Sequence, residues 1–295
     1  YSYWPCSAGR SPSSGGTGHK VGSLIAPNVT TNRYRHAMTT DPRAALDRLV
    51  LTLTGTPVPK ICFLPTASGD GREQTTRFYE RFSTWPCEPS IVSLFHLGRD
   101  RIVDPGAHLL AQDAIYVGGG SMRNMLAVWR EHGIDEAMRL AWERGVVLAG
   151  LSAGAMCWFK GGVTMSGGAP RPAPGLHLLD GSMSVHLDGE PERLLAYREA
   201  VATGALPDGY AVDDCAALLF AGTQLRACVA SRPGARVIQV RADGRGAAIE
   251  LAQTVKLLPG AESPLPGQDT AAAPAGEPYG VSELRALRAG RNRWE

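Results

Sequence analysis

No stretch of this chain constrains its fold more than Gly145-Val146-Val147-Leu148-Ala149 followed at once by Gly150-Leu151-Ser152-Ala153-Gly154. The first five residues form an apolar run of strand length, and Ala153 to Phe159 reads as the start of a helix. A strand that enters a helix through G-x-S-x-G must bend sharply. Glycine at both ends of the turn permits the bend and removes side chains that would crowd the serine. The serine Oγ is then pushed out at the top of a sheet, and the N–H of Ala153 can face a developing negative charge. A plain turn with a capping serine fits the same five residues. In a chain with 35 Gly the surrounding pattern has to decide.

That pattern is an alternation of strand and helix. Asp41-Pro42 opens a helical stretch, Arg43 to Leu53, with Asp41 as N-cap. Strands follow at Lys60 to Pro65, Ser90 to Phe95 and Ala114 to Val117. Helices follow at Arg72 to Phe82, Asn124 to Glu131 and Ile134 to Glu143. The expected fold is α/β: a doubly wound, mostly parallel sheet flanked by helices. In such sheets ligands bind beyond the carboxyl ends of the strands. Three loops lie there: 66–71, 118–121 and the Ser152 turn. Past Gly161 the rhythm changes. Residues 167–175 hold three prolines and three glycines and read as a loop, while 215–220, 225–230 and 236–240 read as strands of a small antiparallel extension. The expected organisation is an irregular leader over 1–40, a catalytic α/β domain over 41–259, and a Pro/Ala/Gly linker with a basic tail over 260–295.

Composition excludes several classes. The formal net charge of +2 gives no footprint for nucleic acid or a membrane surface. No apolar run reaches the roughly 18 residues that span a bilayer, and Tyr1 to Lys20 lacks the apolar core of a secretory signal. None of the six cysteines forms a C-x-x-C pair, so neither zinc nor another metal is expected. Cys62, Cys157 and Cys228 lie in apolar stretches as core thiols, which suits a reducing cytoplasm.

A nucleophilic serine needs a base, and the base needs a carboxylate to fix its tautomer. His186 leads among the seven histidines: it follows the short strand Ser182-Met183-Ser184-Val185 and opens a polar loop. His177 and His96 stand behind it. Asp188, Glu190, Asp213 and Asp214 are the candidate acids. Asp213 and Asp214 are adjacent in an apolar setting, which ordinary solvated surface does not explain.

Several segments in register resemble one family. They are Phe63 to Asp70, Tyr116-Val117-Gly118-Gly119-Gly120, Met125 to Arg130, Gly150 to Phe159, His186 to Pro191, and Asp213 to Leu218. Together they are similar to the peptidase E and cyanophycinase family of serine peptidases, whose fold is class I glutamine amidotransferase-like. The resemblance implies Ser152 as nucleophile, His186 as base and Asp214 as acid, with Asp213 the adjacent alternative. It implies Gly120, or its neighbour Gly119, as second oxyanion donor beside Ala153, a small peptide as substrate, no cofactor, and a homodimer. Family members cleave dipeptides with N-terminal aspartate or hydrolyse aspartyl-linked polymers.

Three departures fall on the substrate side. The family has Asn-Thr after the triple glycine, where this chain has Ser121-Met122. The family has Thr-Asp-Ser after the elbow helix, where this chain has Thr164-Met165-Ser166. The first strand leads into no glycine-rich loop. Gly119, Ser121, Met165 and Arg171 therefore become the candidate substrate contacts, with Arg123 and Arg193 as further cations, and specificity is expected to have moved from strict N-terminal aspartate. The other readings are an esterase or amidase on a non-peptide substrate, and a non-catalytic binding protein on the same scaffold.

Overall fold

The computed structural model describes residues 23–26, 44–97 and 102–259. Two sheets carry the fold. The first has eight strands. Its centre is five parallel strands in the order β1 (Ser23–Ala26), β5 (Val147–Leu151), β4 (Ala114–Val117), β2 (Lys60–Leu64) and β3 (Glu88–Ile91). Beyond β1 lie β10 (Ala216–Ala221) and β11 (Gln224–Ala230), each antiparallel to its inner neighbour, and then β14 (Val255–Leu257).

Alternate residues of the central strands feed two cores. Ile61, Phe63, Ala114, Tyr116, Val147 and Ala149 point to one face, under α1 (Ala45–Leu53) and α2 (Arg72–Phe82). Cys62, Leu64, Ile115, Val117 and Leu148 point to the other, under α3 (Pro105–Leu110), α4 (Met122–Glu131) and α5 (Ile134–Glu143). Burial on both faces makes these strands continuously apolar, as parallel strands between two helical layers must be. This is the doubly wound α/β fold the alternation predicts.

The second sheet has six strands, in the order β13 (Ala248–Ala252), β12 (Val237–Ala242), β9 (Gly209–Val212), β8 (Leu179–Val185), β6 (Phe159–Thr164) and β7 (Arg171–Pro174). The triplet β6, β8 and β9 is parallel; the outer strands are antiparallel. One face joins the larger core through Phe159, Leu179, Met183, Val185 and Val212. The other buries Tyr197, Ala200 and Val201 of α7 (Pro191–Ala202).

Several boundaries differ from expectation. The helix after Ser152, α6, is one turn, Ala153–Met156, and Phe159 already begins β6. The proline-rich stretch 167–175 is not all loop, because Arg171–Pro174 pairs with β6. Pro172 and Pro174 are tolerated because β7 is an edge strand. The strand placed at Ser90 to Phe95 is β3, Glu88–Ile91. Of the expected antiparallel extension, β10 and β11 instead widen the main sheet, and only β12 joins the second. Within the segment assigned to an irregular leader, Ser23–Ala26 is a strand between β5 and β10. Four residues carry too little periodicity to mark a strand; their neighbours on both sides define it. Asp41 lies outside the described residues. Helix α7 carries no clear helical signal in the sequence, because its apolar residues surround it rather than forming one stripe: Leu195 is exposed while Tyr197 is buried.

Candidate active site

Ser152 stands where β5 ends and α6 begins, with φ 49 and ψ −108. Such a conformation costs a non-glycine residue about 1–3 kcal/mol. The neighbouring glycines show why it persists. A Cβ on Gly150 would lie 2.0 Å from the Gly154 carbonyl oxygen, and one on Gly154 would lie 2.5 Å from the Val117 carbonyl oxygen. The chain folds back on itself so closely that only glycine fits either end. Ser152 makes no side-chain capping bond to α6, so the capping reading fails. Its Oγ lies 3.0 Å from His186 Nε2.

His186 and the acids come from the second sheet. Strands β8 and β9 are parallel neighbours with Val185 opposite Val212, so the residues that follow emerge side by side. His186, with φ 60, turns out of β8. Its Nδ1 lies 2.8 Å from Asp214 Oδ1, and both residues are buried. A carboxylate only accepts, so Nδ1 carries the proton and Nε2 presents its lone pair to the Ser152 hydroxyl. Burial pushes the Asp214 carboxyl above its ordinary value, and the hydrogen bond and charge of His186 pull against it.

Asp213 is engaged elsewhere. Its Oδ2 accepts from Arg236 Nε at 3.0 Å and from the Arg236 backbone N–H at 2.8 Å. Asp188 also lies off the histidine. Its Oδ1 accepts the Asp214 N–H at 3.0 Å, and its Oδ2 accepts from Arg232 at 2.6 Å. The same Arg232 group donates to the Asp214 carbonyl at 3.3 Å. Asp188 thereby ties the main chain of Asp214 to the loop that carries His186. Glu190 faces the buried Arg193 at 2.7 Å, an ion pair without hydrogen-bond alignment. Burial pulls the Arg193 guanidinium below its ordinary value, while the charges of Glu190 and Asp214 push it back. His177 pairs with Asp180 on the surface, and His96 contacts Ser93.

Opposite the elbow runs the loop Gly118 to Ser121. The Gly118 N–H donates to the Leu64 carbonyl, and the Ser121 N–H to the Ala67 carbonyl. Gly119 faces Ser152: a Cβ built there would lie 3.3 Å from the serine Cβ. Gly120 has φ +141, and a Cβ would lie 2.2 Å from the Ala67 carbonyl oxygen. Among the described residues no backbone carbonyl takes the N–H of Gly119, Gly120 or Ala153.

The remaining candidate contacts scatter. Ser121 Oγ accepts the Asn124 N–H and so caps α4. Met165 is half-buried at the turn between β6 and β7. Arg171 is exposed on β7, paired in register with Thr164. Arg123 donates to the Pro172 carbonyl, and Arg193 is held by Glu190. Arg232, Arg236 and Gln74 bear on the site without any local sequence signal, since each acts across tens of residues. Among the described residues no group of three or more His, Cys, Asp or Glu side chains is placed to hold a metal, and no helix is long and apolar enough to cross a membrane.

Comparison with known proteins agrees with this architecture. The model of Peptidase family S51 matches residues 36–228, more than half of the chain. The uncharacterized peptidase YgaJ of Bacillus subtilis (strain 168) is 45% identical over 196 residues, which are 66% of this chain and 84% of that protein. The crystal structure of a peptidase from an acI-B1 Actinobacterium shares the fold with a TM-score of 0.54 at 16% identity, covering 79% of this chain and 98% of that one. A putative peptidase E protein from Listeria monocytogenes EGD-e, also 16% identical, has a TM-score of 0.48 and covers 69% of this chain and 96% of its own. The chain therefore belongs to peptidase family S51 and is a hydrolase of the serine-peptidase type.

Proposed function

We propose that this chain hydrolyses small peptides, dipeptides among them, through Ser152, His186 and Asp214. The carrying observation is the continuous line from Ser152 Oγ to His186 Nε2, 3.0 Å, and from His186 Nδ1 to Asp214 Oδ1, 2.8 Å. Ser152 Oγ attacks the scissile carbonyl as its proton passes to His186 Nε2. The carbonyl oxygen gains negative charge, which the N–H of Ala153 and those of the Gly119–Gly120 loop stabilise. His186 returns the proton to the amide nitrogen, the C–N bond breaks, and the amine leaves. Water then attacks the acyl-serine by the reverse proton path. Asp214 holds the imidazole in the productive tautomer and balances its transient positive charge.

Specificity in this reading has moved away from strict N-terminal aspartate. Desolvating a carboxylate requires several aligned donors. The Ser121 hydroxyl, which also accepts the bond that caps α4, offers a single donor, and Met165 offers none. Of the candidate cations Arg123 and Arg171 are exposed, and Arg123 already donates to the Pro172 carbonyl, which leaves Arg171 the better placed. The free thiols of Cys62, Cys87, Cys157 and Cys228 fit a cytoplasmic location.

The test joins a fluorophosphonate probe to a substrate panel. Labelling that maps to Ser152 and vanishes in Ser152→Ala supports the nucleophile; labelling that survives overturns it. Asp-X, Ala-X, Leu-X and Asn-X dipeptides and p-nitrophenyl esters are then compared. Asp-X is expected to be a poor substrate. A kcat/KM for Asp-X about a hundredfold above the other dipeptides, roughly 2.7 kcal/mol, would overturn the specificity. Turnover of esters with no dipeptide cleavage would favour the esterase.

A further inference from the structure

We propose that Gln74 is a positioning residue of the oxyanion site, and that it works by fixing the Gly119–Gly120 peptide. This deepens the reading above and rests on it. Gln74 lies on α2, half-buried, and its Nε2 donates to the Gly119 carbonyl oxygen at 3.1 Å across 45 residues of sequence. The contact is tight. A Cβ on Gly118 would lie 2.5 Å from Gln74 Oε1, so the side chain lies directly against the loop.

Peptide geometry turns this bond into a directional device. A trans peptide is planar, with its C=O and N–H pointing to opposite sides. Anchoring the Gly119 carbonyl to Gln74 therefore turns the Gly120 N–H away from α2. The loop's other fixed points are the Gly118 N–H on Leu64 and the Ser121 N–H on Ala67. Both ends are thus held by backbone bonds, and the middle is held by Gln74. Glycine at 119 and 120 leaves that middle with more torsional freedom than other residues would have, so without an anchor the peptide can rotate. Gly119 faces Ser152, close enough that an added Cβ would reach the serine Cβ at 3.3 Å, so a small rotation there moves the donors relative to the reacting carbonyl. Donors stabilise an oxyanion only when aimed beforehand at where the charge develops.

Gln74 also keeps an unmet need. Its Oε1 is buried and has no hydrogen-bond partner. A buried acceptor left unpaired costs stability, so the amide's local contribution is its single bond to Gly119. A residue kept only for stability would be better replaced by an apolar one.

The experiment compares wild type with Gln74→Met and Gln74→Glu. Met fills similar space and favours helix, but it cannot donate. Glutamate keeps the shape and sets a carboxylate against the Gly119 carbonyl. The readouts are the rate of fluorophosphonate labelling at Ser152, kcat and KM on p-nitrophenyl acetate, and the melting temperature. Both variants should melt near the wild-type temperature, with labelling and kcat reduced about tenfold or more, Glu below Met, and KM little changed. Rates within twofold of wild type in both variants would overturn the proposal. So would a raised KM with kcat intact, which would make Gln74 a substrate contact. If one variant does not fold, the other decides. Failure of the underlying reading looks different: wild type itself would not label at Ser152.

Discussion

The site joins two regions built on different physical terms. The Ser152 half, the proposed nucleophile, belongs to the eight-stranded sheet and is held by backbone. Gly150 and Gly154 stand where no Cβ fits, and the strain at Ser152 is enforced by close packing of main chain on main chain. The half with His186 and Asp214, the proposed base and acid, belongs to the six-stranded sheet and is held by side chains. His186 and Asp214 emerge from adjacent parallel strands, and Asp188, Arg232 and Arg236 clamp the acidic loop by hydrogen bonds and ion pairs. Backbone-enforced geometry fails all at once, because a steric clash has no intermediate. Geometry enforced by charged side chains degrades in steps, because each bond carries only part of the constraint.

The largest expected effects remove the atoms proposed to react. Ser152→Ala and His186→Ala should each lower kcat by about 10⁴-fold or more with the fold intact, and the double variant should be scarcely worse, since the pair acts as a unit. Additive losses in steady-state kinetics would break the claim that the two halves meet at this bond. Asp214→Asn comes next, with a loss of up to about 10⁴-fold in kcat because the amide favours the wrong imidazole tautomer.

The same substitution sharpens the comparison through stability. The Asp214 carboxyl is raised above its ordinary value by burial. Its contribution to stability is therefore fully present below the unfolded value and is lost as pH rises through the folded one. At neutral pH the ionised carboxylate costs stability, so Asp214→Asn should melt at or above the wild-type temperature there and lose that advantage as pH falls into the carboxylate range. A variant that melts well below wild type at neutral pH would contradict this.

Gly150→Ala tests the backbone half. With the new Cβ 2.0 Å from the Gly154 carbonyl, destabilisation should exceed about 3 kcal/mol, seen in chemical denaturation or as loss of soluble protein. Its tolerance would show that the elbow is softer than its packing implies. The smallest effects belong to the clamps. Asp188→Asn should lower kcat about tenfold by loosening the Asp214 loop, and Asp213→Asn should cost mostly stability, about 1–3 kcal/mol, through its lost pair with Arg236. If Asp213→Asn is the more damaging to kcat, the division of labour between the two acids is wrong.

Local pattern alone determined a good deal of this protein. The strand-turn-helix around Ser152, the helices at Arg72 to Phe82 and Ile134 to Glu143, and the strand at Ala114 to Val117 all follow from apolar periodicity and glycine placement within a dozen residues. The parallel sheet follows from their alternation. Tertiary structure decided the rest. Ser23–Ala26 is a strand because β5 and β10 flank it. Asp213 and Asp214 follow the end of β9, so the choice between them depends on how β9 lies against β8 and β12. That register places Asp213 on Arg236 and Asp214 on His186, and nothing within the dipeptide records it. Gln74 and Arg232 reach the site across tens of residues, where periodicity carries no information. What a peptide must do locally is written in its neighbours; which distant partner it meets is settled only when the two sheets pack together.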